Sequence, residues 1–540
     1  VLTDTERSEY PLNIPGDRPW FKYWPEGIPQ HIDYPEIPLF KFLADTAGRY
    51  PDRPAFCTSK DSITFSELDD RTSRLASALA GFGLKRGGRG IVFLPNGIEY
   101  VIGYYGILKA GGSVVPVNPT YKKDELRHVV ADSEAVAVIC NKETYPVVEE
   151  IREETGIKAV ILTESEDIQG TISLKTIFNE YPPTAPEVKI DPREDVAAIE
   201  YTGGTTGFPK GAMLSHYNLV ANVIQNATFL GWTENDVIVG LLPFYHSWGA
   251  CTCMNSPIYA GAKVVTMPRY DADTLLESIE KDKVTLLHGA ASLYTMLINS
   301  PSMGKHNLSS LRYVKAGAMP IPPDIKEKWE NETGVKMILA YGLSEASPET
   351  HTSPPDRIKP GTIGIPIMDT DARIVDEETG MKELPPGEIG ELVLRGPQVM
   401  KGYLNRPEEN AVTLRDGWLH TGDLAMMDEE GYFYIVDRKK EIIKYKGYTI
   451  APAEVEAALY EHPAVRECAV VGVPDDLAGE LPKAFIVPKD GSVCSEDELI
   501  EFCKERLSPY KRIRLVEFID EIPKTQVGKI LRRILRDRVT

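Results

Sequence analysis

Apolar positions along this chain fall into two alternating periods. Short β-branched runs at Gly90–Leu94, Ser113–Val117 and Ala135–Cys140 read as strands. Amphipathic stretches at Thr64–Phe82, Val101–Lys109 and Asp124–Ala131 read as helices, the first capped by Ser66. Strands and helices in strict alternation imply βαβ units and a mainly parallel sheet covered on both faces. The rhythm returns after Asp191. Ala197–Tyr201, Val237–Leu242 and Lys263–Thr266 are predicted strands, and Tyr217–Phe229 and Ala272–Lys281 predicted helices.

The pattern changes near Pro354. From there the text is short strands broken by turn residues (KPGTIGIP, PPGEIGELVLRG, DEEGYFYI), which suggests a small antiparallel sheet or barrel. After Asp437 come a basic run, a helix from Ala453 to Tyr460 and an α+β tail long enough for one small domain. The expected architecture is therefore an α/β protein. A large N-terminal domain spans 1–436, made of two α/β subdomains (about 1–190 and 191–353) and a β subdomain (354–436). A hinge follows at 437–440 and a small mobile α+β domain at 441–540. The proline- and aromatic-rich opening to Pro38 is expected to lie extended over a domain surface.

Composition narrows the function classes. The 60 Lys and Arg against 80 Asp and Glu leave a net charge of −20, which repels a polyanion and argues against nucleic acid as a partner. Seven scattered cysteines without a CxxC pair argue against structural zinc or a disulfide framework and for reduced thiols in a cytoplasm. No run approaches the ~18 apolar residues of a membrane span, and the first residues carry charges and prolines where a signal peptide would be apolar. Neither secretion nor a transmembrane segment is expected; peripheral membrane contact and a homodimer are compatible with this.

The most informative segment is Tyr201-Thr-Gly-Gly-Thr-Thr-Gly-Phe-Pro-Lys-Gly211. It follows an apolar run and precedes a helical stretch, which would put it at a strand end where open α/β sheets bind ligands. Gly203, Gly204 and Gly207 free the backbone to approach a phosphate, so that successive N–H groups can cradle its oxygens. Thr202, Thr205 and Thr206 add hydroxyls and Lys210 a point charge. Lys210 lies between Pro209 and Gly211, so this is not a Walker A loop, whose lysine follows Gly and precedes Ser or Thr.

This string resembles the signature of the adenylate-forming superfamily: acyl-CoA synthetases, aryl-CoA ligases, beetle luciferases and adenylation domains of peptide synthetases. Further segments resemble that family's motifs in the same order over nearly the whole chain. Tyr341-Gly342-Leu-Ser344-Glu345 resembles its YGxTE element, with serine for threonine. The resemblance implies Tyr341 on adenine, Ser344 toward the α-phosphate, and Glu345 on Mg²⁺ with Thr202 supporting the metal indirectly; hard oxygen ligands suit that ion. Gly317 and Ala318 resemble the segment lining the other side of adenine. Asp423, in Thr421-Gly-Asp423, and Arg438 would hold the ribose. Pro243-Phe-Tyr-His246 resembles the element whose histidine closes the acyl pocket. Lys440 sits at the family's hinge, and Lys444 with Gly447 resembles the loop that swings in for thioester formation with CoA. Lys529 in Pro523-Lys-Thr-Gln-Val-Gly-Lys529 resembles the adenylation lysine.

The resemblance implies ATP and CoA as co-substrates, Mg²⁺ as cofactor and an AMP-forming acid–thiol ligase. Trp248, His288, Ala291 and Ala316 are pocket candidates by position, together with His246. Small residues there would leave a long apolar tunnel, and WPEGIPQHIDYP resembles microbial fatty-acyl-CoA ligases, so a medium-to-long-chain fatty acid is expected. An aryl acid of the 4-coumarate type is the alternative, with a luciferase-like oxygenase or a stand-alone adenylating enzyme behind it.

Overall fold

The computed structural model describes every residue except 1–13, 165–167, 203–208, 268–270, 318–320, 322, 440, 447, 476, 493, 526–527 and 540. Its centre is a pair of large sheets, one of eight strands and one of nine, in which most neighbours run parallel. Two helices between them explain how the sheets are joined. Ile98–Lys109 is apolar on all sides, and every residue except Glu99 is buried. His216–Phe229 is buried at every position but Thr228. A helix without a polar face must be covered all round, and here sheets lie on both sides. Asn96 donates to the Gly240 and Leu242 carbonyls and Tyr105 to Asn255, tying the first of these helices to the π-helix Cys251–Asn255.

The expected pair of successive α/β units is corrected in one respect. Strands Pro54–Cys57 and Ser62–Thr64 leave the first unit and join the nine-stranded sheet through Lys263–Thr266, whereas Val196–Thr202 and Lys210–Ser215 extend the eight-stranded sheet. Local periodicity fixes a strand but not its partner, which tertiary packing chooses. The helix after Ser62–Thr64 runs Phe65–Gly81 and is capped by Thr64 in a capping box with Glu67, not by Ser66.

An antiparallel sheet follows, built on Asp371–Val375, Ile389–Arg395, Trp418–Met427 and Phe433–Arg438. From Ile443 onward a separate five-stranded sheet packs helices Pro452–Tyr460 and Glu496–Arg506 around its own core. Near the end of the chain, Arg532 donates to Glu441 at 2.5 Å and to both carboxylate oxygens of Glu456 at 2.7 Å. This bidentate geometry fixes the hairpin just before it, where Lys524 and Ile530 pair across the turn. Among the described residues no helix is long and apolar enough to cross a membrane.

Candidate active site

Thr202 ends its strand directly opposite Lys210, because Val196–Thr202 and Lys210–Ser215 form an antiparallel pair. The glycine-rich segment therefore joins strand to strand, and the helix His216–Phe229 starts only after Ser215. The expected strand-to-helix junction is corrected accordingly: no helix N-terminus follows the loop directly. The loop residues Gly203, Gly204, Thr205, Thr206 and Gly207 lie outside the described residues, as do Ala318, Lys440 and Gly447. Lys210 is ion-paired with Glu409 and its ammonium lies 5.3 Å above the Tyr403 ring.

Around this strand end the chain gathers polar side chains from distant segments. Glu345, just beyond the strand Met337–Gly342, accepts a hydrogen bond from the Tyr403 hydroxyl at 2.6 Å. Ser344 and Ser247 exchange a hydroxyl contact at 3.0 Å. Both lie against the buried carboxyl of Glu200, which burial pushes up to about 8 while their hydrogen bonds oppose the shift. Tyr341 donates to Asp423 at 2.5 Å, and Arg438 contacts the other oxygen of that carboxylate at 3.1 Å. Asp423 and Arg438 are cross-strand partners in adjoining strands, so the register itself sets this contact. Burial is the largest single influence and disfavours the Arg438 charge, but Asp423, Tyr341, Glu441 and Glu345 together outweigh it and hold the guanidinium's pKa above its ordinary value.

Lys529 arrives from the C-terminal hairpin. Burial lowers its pKa and Arg438 adds to the effect, while Asp423, Glu441 and Glu345 act against it. The Lys529 ammonium is thus within electrostatic reach of Arg438, Asp423, Glu441 and Glu345. His246 feels the same charge. Burial pushes that imidazole down to about 4, with the Lys529 charge contributing. Its Nδ1 accepts from the Trp248 amide at 3.2 Å, capping the helix Ser247–Ala250. Gly249 is required in that first turn, because a Cβ would fall 2.1 Å from the Pro243 carbonyl oxygen. The Trp248 indole then covers Gly317, where an added Cβ would sit 3.5 Å from Cη2.

Sequence reasoning missed Tyr403, Ser247 and Glu200. Glu200 left a signal, a lone carboxylate inside the apolar run Val196–Tyr201. Ser247 is adjacent to His246, but only the fold brings Tyr403 to Glu345. Of the pocket candidates, Trp248 lies against Gly317, His288 is fully buried between Trp232 and Tyr313, and Ala291 opens the helix Ala291–Ile298. Ala316 is buried in the strand Tyr313–Ala316, next to Lys315, which donates to Glu349. Lys444 lies in the small domain with its amide donating to Glu480 at 2.7 Å.

Comparison with known proteins decides what this cluster belongs to. Residues 43–404 match the model of the AMP-binding enzyme family, and residues 454–529 match that of the AMP-binding enzyme C-terminal domain. The chain is an AMP-binding enzyme. It is 40% identical to a long-chain-fatty-acid–CoA ligase of Bacillus subtilis, over 97% of this chain and 98% of that one. It is 34% identical to 4-coumarate-CoA ligase 1 of Narcissus pseudonarcissus, over 95% and 94%. The ATP-bound crystal structure of MatB from Rhodopseudomonas palustris superposes with a TM-score of 0.86 at 31% identity, covering 93% of this chain and 99% of that one. Fold and sequence together are those of the adenylate-forming superfamily. The candidate site residues of this AMP-binding enzyme are divided between the two matched regions, Thr202, Tyr341 and Glu345 lying in the first and Lys529 in the second.

Proposed function

We propose that this AMP-binding enzyme is a fatty-acid–CoA ligase: ATP and a fatty acid give acyl-adenylate and pyrophosphate, then CoA gives acyl-CoA and AMP. What supports the reading most is the electrostatic coupling of Lys529, on the C-terminal hairpin, to Glu345, Asp423 and His246 of the large domain.

In the first half-reaction an acid oxygen attacks the α-phosphorus and pyrophosphate leaves. Two anions must approach and charge spreads over phosphoryl oxygens, so positioning and neutralisation do the work. In this reading Asp423 and Arg438 hold the ribose, Tyr341 flanks the adenine, and Gly342 belongs to the same strand. Residues 203–207 cradle phosphate, with Thr202, Ser344 and Lys210 at the rim. Lys529 spans the attacking carboxylate and the α-phosphate. His246, kept neutral, closes the acyl side without repelling the lysine.

Mg²⁺ is the cofactor this chemistry calls for. Glu345 offers a carboxylate that accepts from the Tyr403 hydroxyl, and Thr202 offers a hydroxyl, both hard oxygen donors. Among the described residues no cluster of three or more His, Cys, Asp or Glu could hold an ion alone. That fits a metal whose remaining ligands are water and phosphate. When bound it would neutralise phosphate charge. In the second half-reaction Lys529 obstructs the incoming thiol. Rotation of the small domain about Lys440 would withdraw it and bring Lys444 and Gly447 forward.

The fatty acid rests on the Bacillus relative's named activity and the near-complete coverage of both chains. An aryl acid is the second reading, favoured by the Narcissus relative. A cytoplasmic setting agrees with seven free cysteines, a homodimer remains compatible, and no nucleic-acid partner is proposed. The test is ATP–pyrophosphate exchange with octanoate and palmitate, alongside CoA-dependent AMP release. Exchange that needs no acid, or acid-dependent exchange without any thioester, would overturn the ligase reading.

A further inference from the structure

Three segments far apart in the chain meet at one hydroxyl pair. The strand Val196–Thr202 carries Glu200 two residues before Thr202 and so on the same strand face, because side chains alternate. The helix Ser247–Ala250 opens on Ser247, and the turn Ser344–Ala346 opens on Ser344. The two serine oxygens lie 3.0 Å apart, and the Glu200 carboxyl interacts with both hydroxyls. Glu200 is 5% exposed and Ser247 2%, whereas Ser344 is half-buried. Of the three, only Ser344 is open to the outside, and Glu345 follows it in the chain.

Packing does not account for a carboxyl here. Ala197, Ala198 and Ile199 just before it are buried and apolar, and a carboxyl at that depth carries a desolvation cost. Its Oε2 is buried with no hydrogen-bond partner, which leaves the two serine hydroxyls as its polar company. Those hydroxyls can use such a neighbour. Serine has no second branch at Cβ, so the Ser344 hydroxyl can turn among three staggered positions, where threonine would be restricted. A hydroxyl that must meet developing charge serves best if the fold has ordered it beforehand. Ser247 at 3.0 Å and the carboxyl of Glu200 favour the one rotamer of Ser344 that meets them both.

We propose that Glu200 and Ser247 are positioning residues for adenylation, which lock the Ser344 hydroxyl in the orientation that meets the α-phosphate. The inference rests on the ligase reading above, in which Ser344 stands at the phosphate, and deepens it by naming what holds that group. Neither residue touches substrate; both act through Ser344. The device is separate from the Tyr403 hydroxyl, which reaches Glu345 at 2.6 Å and orients the carboxylate rather than the serine. Each contact has the net worth of an ordinary hydrogen bond, so losing one slows the step by about three- to tenfold.

The experiment measures kcat and KM of acid-dependent ATP–pyrophosphate exchange with octanoate and palmitate. The variants are Glu200→Leu, Ser247→Ala and Glu200→Gln, then the first two again in a Ser344→Ala background. Glu200→Leu and Ser247→Ala are each expected to lower kcat about three- to tenfold, with the acid's KM changed by less than about twofold. Glu200→Gln keeps an oxygen at the same place and gains an amide donor, so it should recover most of the loss seen with leucine. In the Ser344→Ala background both losses should vanish, since no hydroxyl is left to orient. A residue that merely holds the fold together would cost the same with or without Ser344, so undiminished losses in that background overturn the proposal. It is also overturned by wild-type kcat in Glu200→Leu and Ser247→Ala, or by Glu200→Gln no better than leucine. If Glu200→Leu does not fold, Ser247→Ala with and without Ser344→Ala decides by the same comparison. Absence of acid-dependent exchange in the wild type is a different failure, since it overturns the ligase reading and the positioning role falls with it.

Discussion

The nucleotide end and the acyl end of this site are built by opposite means. At the nucleotide end, charged and hydroxyl side chains sit at strand ends and in turns: Thr202, Ser344, Glu345, Asp423, Arg438 and, across the domain boundary, Lys529. At the proposed acyl end the candidates sit in buried strands and a helix turn, His288 and Ala316 on strands and Trp248 in the turn, among core residues. The first arrangement fixes where charge develops. The second fixes a shape, and it can change with a few core residues while the chemistry stays the same. A family can therefore share one reaction and differ in its acids.

If that division holds, the largest loss comes from the group that reaches across the boundary. Lys529→Ala is expected to lower acid-dependent pyrophosphate exchange by about 10²–10³-fold, the scale of losing one charge-stabilising donor at a reacting phosphoryl. Conversion of pre-made acyl-adenylate to thioester should persist, and equal loss of both halves would contradict the swapping of Lys529 for the Gly447 loop. Because burial lowers the lysine's pKa, exchange should fall off on the alkaline side at a pH below the usual lysine value of 10.5. His246, pushed down to about 4, should contribute no acid limb above about pH 5. A pH–rate profile of exchange checks both signs.

A smaller effect is expected where the nucleotide end is held by hydrogen bonds. Asp423→Asn weakens the ribose contact and deprives Arg438 of its counter-charge, leaving a partly buried cation unpaired, a change on the order of 3–5 kcal/mol in buried sites. With Arg438 half-exposed, solvent screening reduces this, and about a tenfold to hundredfold rise in KM for ATP is expected, with little change in the acid's KM. A rise in the acid's KM instead would move Asp423 to the other end of the site. Tyr403→Phe removes only the hydroxyl that orients Glu345. It should cost roughly 1–3 kcal/mol of transition-state stabilisation, the range for hydrogen bonds to charged groups. The loss should appear as a higher Mg²⁺ requirement, measured by titrating the metal at fixed ATP.

The same division governs what could be read from the sequence. Turn-borne functional groups come in compact strings, Thr202–Lys210, Tyr341–Glu345, Thr421–Asp423 and Pro523–Lys529, and such strings are visible without a fold. Core walls have no string. Lys315 and Glu349 lie 34 residues apart and resemble any other buried-strand text until the sheet order is known. The sheets illustrate the same limit. Strand positions followed from apolar runs, but the exchange that sends Pro54–Cys57 to one sheet and Val196–Thr202 to the other depends on which buried helices lie between. Tyr403 came to Glu345 by the same long-range packing.

Glu200 lies under the boundary between the two ends and yields the smallest effect. Its carboxyl ordinarily ionises near 4.5, but burial holds the proton until about pH 8, with Glu345 adding a little and Ser344 and Ser247 opposing. Between those values the folded chain binds a proton that the unfolded chain has released. Stability from this group is therefore fully present below pH 4.5 and declines as pH rises toward 8. Glutamine cannot ionise and keeps a hydrogen-bonding amide for the two serines. Glu200→Gln should melt close to wild type at pH 4.5 and progressively above it up to pH 8. Each pH unit of that interval is worth about 1.4 kcal/mol, and 1 kcal/mol moves Tm by about 2–4 °C in domains of 150–250 residues and by less in a larger one, so the gap should widen by several degrees between pH 4.5 and 8. A gap that stays constant with pH, or that closes as pH rises, would mean that Glu200 is ionised in the folded enzyme and belongs with the charged nucleotide end.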